Sequence, residues 1–169
     1  LKMSSIKDLI EYKVKKEKLV KCVRTENSKI KYLKDFKTFI YKNILDGTEH
    51  LALVKGKVSS TKNILVRMHS LNIYSDLLDP KNEILSKSID IISKEENGII
   101  VIIRNPKKEL LDKDFHVKRK SILKEYGIGA QILTDLGAKK ITLLTTSTKK
   151  IIGVCLLYTS PSPRDRLSS

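Results

Sequence analysis

The chain has 169 residues, a formal net charge of +15 at pH 7, and a composition that is 40% hydrophobic but only 5% aromatic, with no tryptophan. This length allows one domain with one core, which must be built mainly from Ile, Leu and Val. No apolar run approaches the roughly 18 residues that a membrane span needs. The two cysteines cannot build a disulfide framework or a thiolate metal cage. We therefore expect a cytoplasmic protein that does not associate with membranes.

The excess of positive charge has three explanations. Clustered lysines can neutralise phosphates of a nucleic acid, with release of counterions. Here the cations are mainly lysines scattered along the whole chain, and few aromatic residues are interleaved for base stacking. Solvated surface is the favoured explanation, attraction of a phosphorylated small molecule comes second, and nucleic-acid binding comes third.

Hydrophobic periodicity predicts the elements in chain order. Residues 7–23 have the apolar stripe of an amphipathic helix, and the polar residues 24–28 are typical of a linker. Alternation predicts strands over 36–41 and 50–54, joined by a turn at Asp46 and Gly47, and a further strand over 64–69. Residues 82–93 have helical spacing, and 99–103 are a β-branched run typical of a strand buried on both faces.

The segment 124–138, KEYGIGAQILTDLGA, combines a glycine-containing turn with a helix of tight apolar period. Gly127 and Gly129 are expected where the helix begins, and Gly137 where it stops. A strand over 140–144 follows. Helices and strands in this order predict an α/β fold, a mixed sheet flanked by helices.

Four segments carry a resemblance to one family. The sequence of residues 124–138 resembles D-L-R-D-Y-G-I-G-A-Q-I-L-R-D-L-G of GTP cyclohydrolase II, the enzyme that catalyses the first step of riboflavin synthesis. The segment DGTEHLALVKGK (46–57) is similar to the family's hairpin, LVRMHS (65–70) to its L-V-R-V-H-S strand, and LTTSTKKI (144–151) to its L-T-N-N-P-x-K-I segment. The resemblance implies a GTP cyclohydrolase II-like fold that is truncated at the C-terminus, and GTP or another nucleotide as a ligand of a homodimer.

The ends of the chain suggest three regions. Residues 4–20 resemble the stretch that leads out of the dihydroxybutanone phosphate synthase domain of bifunctional riboflavin proteins. We therefore expect residues 1–28 to be a connecting helix and linker from a missing upstream synthase domain, and 29–154 to be the cyclohydrolase-like domain. CLLYTSPSPRD (155–165) resembles a translated sequencing adapter. We expect residues 155–169 to be a non-biological tail outside the fold.

The chemistry that the resemblance implies is missing from this sequence. The family holds a zinc ion with three cysteines, and an ungapped alignment from His69 places Asn72, Glu83 and Leu85 at those positions. An amide, a carboxylate and an aliphatic group cannot form a thiolate zinc site. This departure from the family's pattern predicts that the chain holds no zinc cofactor.

The positions of the family's other catalytic groups are also changed. Lys124 stands at the Arg proposed to attack the α-phosphate, and Ile122 at the Asp that handles protons. Lysine lacks the planar fork of arginine, and isoleucine cannot exchange a proton. Five residues survive at positions near the nucleotide, and each is equally consistent with a structural role: Arg67, His69, Ser70, Thr145 and Lys150.

These observations favour a catalytically inactive cyclohydrolase-like domain with a structural or regulatory role for the synthase domain. One alternative is an active enzyme with an unrecognised metal site, for which His69, Asp76, Glu83 and His116 are the candidate ligands. The other alternative is a basic nucleic-acid-binding module. Zinc content and the salt dependence of polyanion binding distinguish the three.

Overall fold

The structure is a computed structural model that describes residues 17–106, 119–145 and 158–161, with side chains for 17–106 and 124–145. Its elements are β1 Val20–Asn27, β2 Phe36–Asn43, β3 Glu49–Lys55, β4 Asn63–Ser70, α1 Ile73–Leu78, α2 Ile84–Ser93, β5 Gly98–Ile103, α3 Arg119–Asp135, β6 Lys140–Leu143 and β7 Tyr158–Pro161. A short 3-10 turn at Lys31–Leu33 precedes β2. No helix among these elements is long and apolar enough to cross a membrane.

The strands form one mixed sheet in the order β1-β2-β3-β5-β4-β6-β7. Strands β1, β2, β3 and β5 pair antiparallel, whereas β4 pairs parallel with β5 and with β6. The carboxyl ends of the parallel strands and the amino end of β3 therefore lie along the same side of the sheet. We call this side the site edge, and it includes His50 of β3, Ser70 of β4 and Ile103 of β5.

Helices cover both faces of the sheet. On one face, α3 packs Ile128, Ile132 and Leu133 against buried residues of the central strands. On the other, Ile89 and Ile92 of α2 and Leu33 of the 3-10 turn enclose a second apolar cluster. Strand β5 contributes to both clusters, and Ile99, Ile100 and Val101 are fully buried. The predicted α/β architecture is confirmed, including the strand buried on both faces.

Several predicted elements are confirmed and others are wrong. The strands predicted over 36–41, 50–54, 64–69, 99–103 and 140–144 are present, as is the helix over 82–93. The helix predicted to reach residue 23 and the linker over 24–28 are wrong, because Val20–Asn27 is a strand paired with β2. Residues 1–16 lie outside the described residues.

Two further corrections concern glycines and the tail. Gly127 and Gly129 lie inside α3, which begins at Arg119. A Cβ on Gly129 would approach Met68 Cε at 2.8 Å, so a larger residue there would require the flexible end of the Met68 side chain to move. The tail was expected outside the fold, but Tyr158–Pro161 pairs with β6 as an edge strand. An edge position, with Pro161 at the end of the strand, is where a sheet tolerates proline.

The buried hydroxyl of Tyr41 supplies a prediction about stability. Tyr41 Oη donates to Asp135 Oδ2 at 2.8 Å, and the residue is 1% exposed. We expect Tyr41→Phe to lower the free energy of unfolding by about 1 kcal/mol. Tyr32 makes a similar bond to Asp90, of 2.6 Å, on the surface, so Tyr32→Phe is the matched control and should change stability by less than about 0.5 kcal/mol.

The same tyrosine is expected to make the free energy of unfolding fall at alkaline pH. Burial, followed by the bond to Asp135, raises the pKa of Tyr41. In the unfolded chain the proton leaves near pH 10, whereas the folded chain still holds it. Stability is therefore lost as pH rises above about 10, and the loss measured by urea unfolding should be smaller in Tyr41→Phe. An equal loss in both proteins would contradict this assignment.

Candidate functional site

A buried pair of His69 and Asp76 occupies the end of β4 at the site edge. His69 is the second-last residue of β4, and Asp76 lies in α1. His69 Nε2 and Asp76 Oδ2 are 2.8 Å apart, and both side chains are 7% exposed. Burial of an ionisable pair is tolerated only where hydrogen bonds satisfy it. Asp76 meets that requirement because its carboxylate accepts hydrogen bonds from two further donors.

Asp76 accepts hydrogen bonds from two more groups of the same loop. The backbone N–H of Asn72 donates to Oδ2 at 2.9 Å, and Asn82 Nδ2 donates to Oδ1 at 3.1 Å. The carboxylate thus joins the end of β4, the start of α1 and the residues before α2. We call His69, Asn72, Asp76 and Asn82 the loop network.

Asn72 begins helix α1. Its side-chain oxygen accepts from the backbone N–H of Ser75 at 3.2 Å, the usual N-cap bond. The short sequence that follows β4, with Asn at the cap and Asp in the first turn, is typical of a helix start. This pattern was the available signal for the role of Asp76, which sequence reasoning treated only as a possible metal ligand.

The three positions that the resemblance assigns to zinc ligands make three different contacts. Asn72 caps α1, and Leu85 packs against the apolar cluster beneath α2. Glu83 forms an ion pair with Lys87, with 2.7 Å between Oε2 and Nζ, and both side chains are largely exposed. These three side chains do not fit a zinc site. Leu85 has no ligand atom, and the Asn72 amide and the Glu83 carboxylate are occupied by contacts within the protein.

The proposed substitute site is not assembled by the described residues either. Only His69 and Asp76 contact each other, Glu83 is paired elsewhere, and His116 lies outside the described residues. Among the residues that the structure describes, no group of three His, Cys, Asp or Glu side chains could hold a metal ion.

Two of the residues that the resemblance places near the nucleotide, Arg67 and Ser70, have buried side chains. Arg67 is buried at 8% exposure and donates from Nη1 to the Leu144 carbonyl at 3.1 Å. It thereby ties β4 to the end of β6, immediately before Thr145. The Ser70 hydroxyl is buried and has no hydrogen-bond partner among the described residues. Lys150 lies outside the described residues, so the structure brings only part of the predicted set to the site edge.

Lys124 is on α3 and faces the β2–β3 hairpin. Its Nζ lies 3.5 Å from Asp46 Oδ2, and its side chain is 58% exposed. Hydrogen bonds from Thr48, and then the charge of Lys124, lower the pKa of Asp46. Lys124 therefore forms a surface ion pair, and Ile122 lies in the same helix outside the described side chains.

Comparison with known proteins adds independent information. The GTP cyclohydrolase II family model matches residues 21–155. The monofunctional riboflavin biosynthesis protein RIBA 2, chloroplastic, of Arabidopsis thaliana is 31% identical, over 91% of this chain and 35% of the relative. The riboflavin biosynthesis protein RibBA of Bacillus cereus is 33% identical, over 91% of this chain and 44% of the relative.

A solved structure shows the same architecture. RibBX from A. baumannii, a two-domain 3,4-dihydroxy-2-butanone 4-phosphate synthase, superposes with a TM-score of 0.67 and 26% sequence identity, over 93% of this chain and 45% of that chain. The chain spans less than half the length of these relatives. The family match, the identity with the relatives and the shared fold show that this chain belongs to the GTP cyclohydrolase II family and is a GTP cyclohydrolase II-like domain of the riboflavin biosynthesis proteins.

Proposed function

We propose that this domain is a catalytically inactive member of the family with a structural role beside a dihydroxybutanone phosphate synthase domain. The observation that supports the proposal is the loop network, in which Asp76 bonds to His69, Asn72 and Asn82. A zinc-bound water is a strong nucleophile because the metal lowers its pKa. The loop network offers no comparable group, since its ionisable pair is buried and bonded internally.

The second catalytic position supports the same conclusion. Lys124 is paired with Asp46 on the surface, and the neighbouring proton-transfer position is Ile122, which has no titratable group. Loss of the metal ligands and loss of the proton-transfer group are independent changes. Together they leave no described residue at the site edge in a family catalytic role.

A structural role is supported by the contacts of the surviving residues and by the surface of α1. Arg67 holds the end of β6, and His69 holds α1, so both stabilise the fold. The exposed face of α1 presents four large apolar side chains, at 48% for Ile73, 47% for Tyr74, 75% for Leu77 and 68% for Leu78. Contiguous exposed apolar groups are typical of protein contact surfaces. RibBX, a two-domain 3,4-dihydroxy-2-butanone 4-phosphate synthase of the same architecture, supports a synthase domain as the partner. Cytoplasmic location and homodimer formation stay predictions of the sequence.

Formate release from GTP tests the inactivity. The purified chain, supplied with excess zinc, should release no formate above a protein-free blank, and elemental analysis before zinc addition should find no stoichiometric zinc. An active GTP cyclohydrolase II assayed in parallel is the control for the assay. Zinc-dependent formate release would instead establish the active alternative, and polyanion binding with a steep salt dependence would establish the nucleic-acid alternative.

A further inference from the structure

A groove of about 370 Å³ lies on the α3 face of the sheet, where α3 ends and leaves parts of β1, β2 and β3 uncovered. Cys22 of β1 and Phe39 and Tyr41 of β2 form its floor. Leu136, directly after α3, forms one wall, and Val58, in the loop after β3, forms another. The volume is within the range of small-molecule pockets, roughly 300 to 1,000 Å³.

The groove is separate from the site edge. It extends to Lys37 near the start of β2 and to Val54 near the end of β3, which are paired with each other. The site edge includes the amino end of β3, so the two features lie toward opposite ends of this strand. No residue of the groove occupies a position to which the resemblance assigns a catalytic or binding role. The groove is therefore not part of the nucleotide site that the resemblance implies.

The floor and walls of the groove are apolar but incompletely covered. Phe39, Val58 and Leu136 pack against the main apolar cluster and are only partly buried. A face of a sheet is usually covered by a second layer of structure. An aromatic ring such as that of Phe39 prefers offset-stacked or edge-to-face contacts with another ring. These features favour a planar aromatic group as the occupant.

The two ends of the groove differ in charge. At the α3 end, Asp135 accepts a hydrogen bond from Tyr41 Oη at 2.8 Å and lies 3.6 Å from Lys18 Nζ, so its charge is compensated within the protein. At the other end, Lys37 is exposed, and its Nζ lies 5.6 Å from the centroid of the Phe39 ring. Lys37 makes no ion pair with any residue that the structure describes. The uncompensated charge at this end favours an anionic group.

We propose that this groove binds a small planar aromatic anion, with its rings against Phe39 and its anionic group beside Lys37. Lys37 and Tyr41 are four residues apart on β2, which corresponds to roughly 13 Å along a strand. The carboxylate of Asp135, which contacts Tyr41, therefore lies at the far end of the groove from the anionic group. The inference goes beyond the proposed structural role and holds whether or not the domain is catalytically active.

Isothermal titration with 2-naphthoate and with neutral 2-naphthalenemethanol tests the proposal, because the two probes share their rings and differ in charge. We expect 2-naphthoate to bind saturably with a Kd below about 1 mM, and the alcohol to bind about fivefold more weakly. Lys37→Gln should weaken the binding of 2-naphthoate by about fivefold and leave that of the alcohol unchanged. Lys42→Gln is the matched control, because it removes an exposed lysine of the same strand whose side chain alternation places on the opposite face. It should change neither affinity.

Alkylation of Cys22 by iodoacetamide shows where the probe binds. Cys22 is a free, partly exposed thiol in the floor of the groove. Its alkylation should slow by about tenfold in 2-naphthoate at ten times the Kd, because only the unoccupied groove leaves the thiol accessible. Mass spectrometry of the digested chain separates Cys22 from Cys155, the other cysteine, which comes shortly before β7 at the opposite edge of the sheet. The rate at Cys155 should not change.

The proposal is overturned if 2-naphthoate does not bind saturably, if it leaves the alkylation of Cys22 unchanged, or if Lys37→Gln and Lys42→Gln have equal effects. Where another part of the chain or a second copy already fills the groove, Cys22 reacts slowly without a probe and 2-naphthoate gives no protection, which overturns the proposal as well. Both substituted lysines are exposed, so both variants are expected to fold and the comparison decides the question.

Discussion

Asp76→Ala is expected to lower the free energy of unfolding by about 3 kcal/mol or more, because it removes a buried carboxylate that is hydrogen-bonded to three groups. The substitution leaves His69 buried without its partner and leaves the Asn72 backbone N–H and the Asn82 amide without their acceptor. Each uncompensated buried group adds a desolvation cost. Urea unfolding followed by circular dichroism measures the difference.

The matched control for Asp76→Ala is Glu83→Ala, in the same loop region. Glu83 pairs with Lys87 on the surface of α2, with side-chain exposures of 57% and 70%. An exposed pair of this kind contributes about 0.5 kcal/mol or less. Similar losses in the two variants would show that Asp76 contributes no more than a surface carboxylate, against the role assigned to the loop network.

Gly56→Ala is the second substitution with a large expected effect, about 3 kcal/mol or more. Gly56 follows β3 with φ of +68°, and a Cβ there would overlap the backbone carbonyl oxygen of Glu96. Alanine therefore meets both the unfavourable backbone region and a clash that no side-chain rotation relieves. Thermal unfolding of the variant measures the loss.

Gly137→Ala separates these two contributions. Gly137 ends α3 with φ of +88°, and a Cβ there would find no atom within 4 Å. Only the backbone cost should appear, about 1 kcal/mol. Equal destabilisation of the two variants would show that the contact with Glu96 is relieved by backbone movement.

Much of the fold could be predicted from local sequence signals. The alternation before Asp46 and the β-branched run after Gly98 fix β2 and β5 because their patterns admit few alternatives. The error at β1 has a physical cause. Apolar residues such as Leu19 and Val23 satisfy a helical stripe, but the pairing of β1 with β2 is a tertiary contact that local periodicity does not contain.

The absence of the family's zinc ligands could be predicted from the sequence, whereas the hydrogen bonds at the site could not. Asn72, Glu83 and Leu85 could be excluded as a zinc site by their chemistry alone. The bond between His69 and Asp76 could not be predicted from the sequence, because it depends on how α1 turns back against the end of β4. The hydrogen bond from the backbone N–H of Arg104 to His50 Nδ1 likewise joins residues that are distant in the sequence.

Thermal unfolding in excess zinc and in EDTA tests most directly whether hydrogen bonds, and not a metal, hold the loop after β4. A ligand that binds the folded state at 100 times its Kd stabilises it by about 2.7 kcal/mol and raises Tm by several degrees. We predict the same Tm in zinc and in EDTA for the unmodified chain. A Tm that rises by several degrees with zinc, and that loses this rise in Asp76→Ala, would contradict a metal-free loop network.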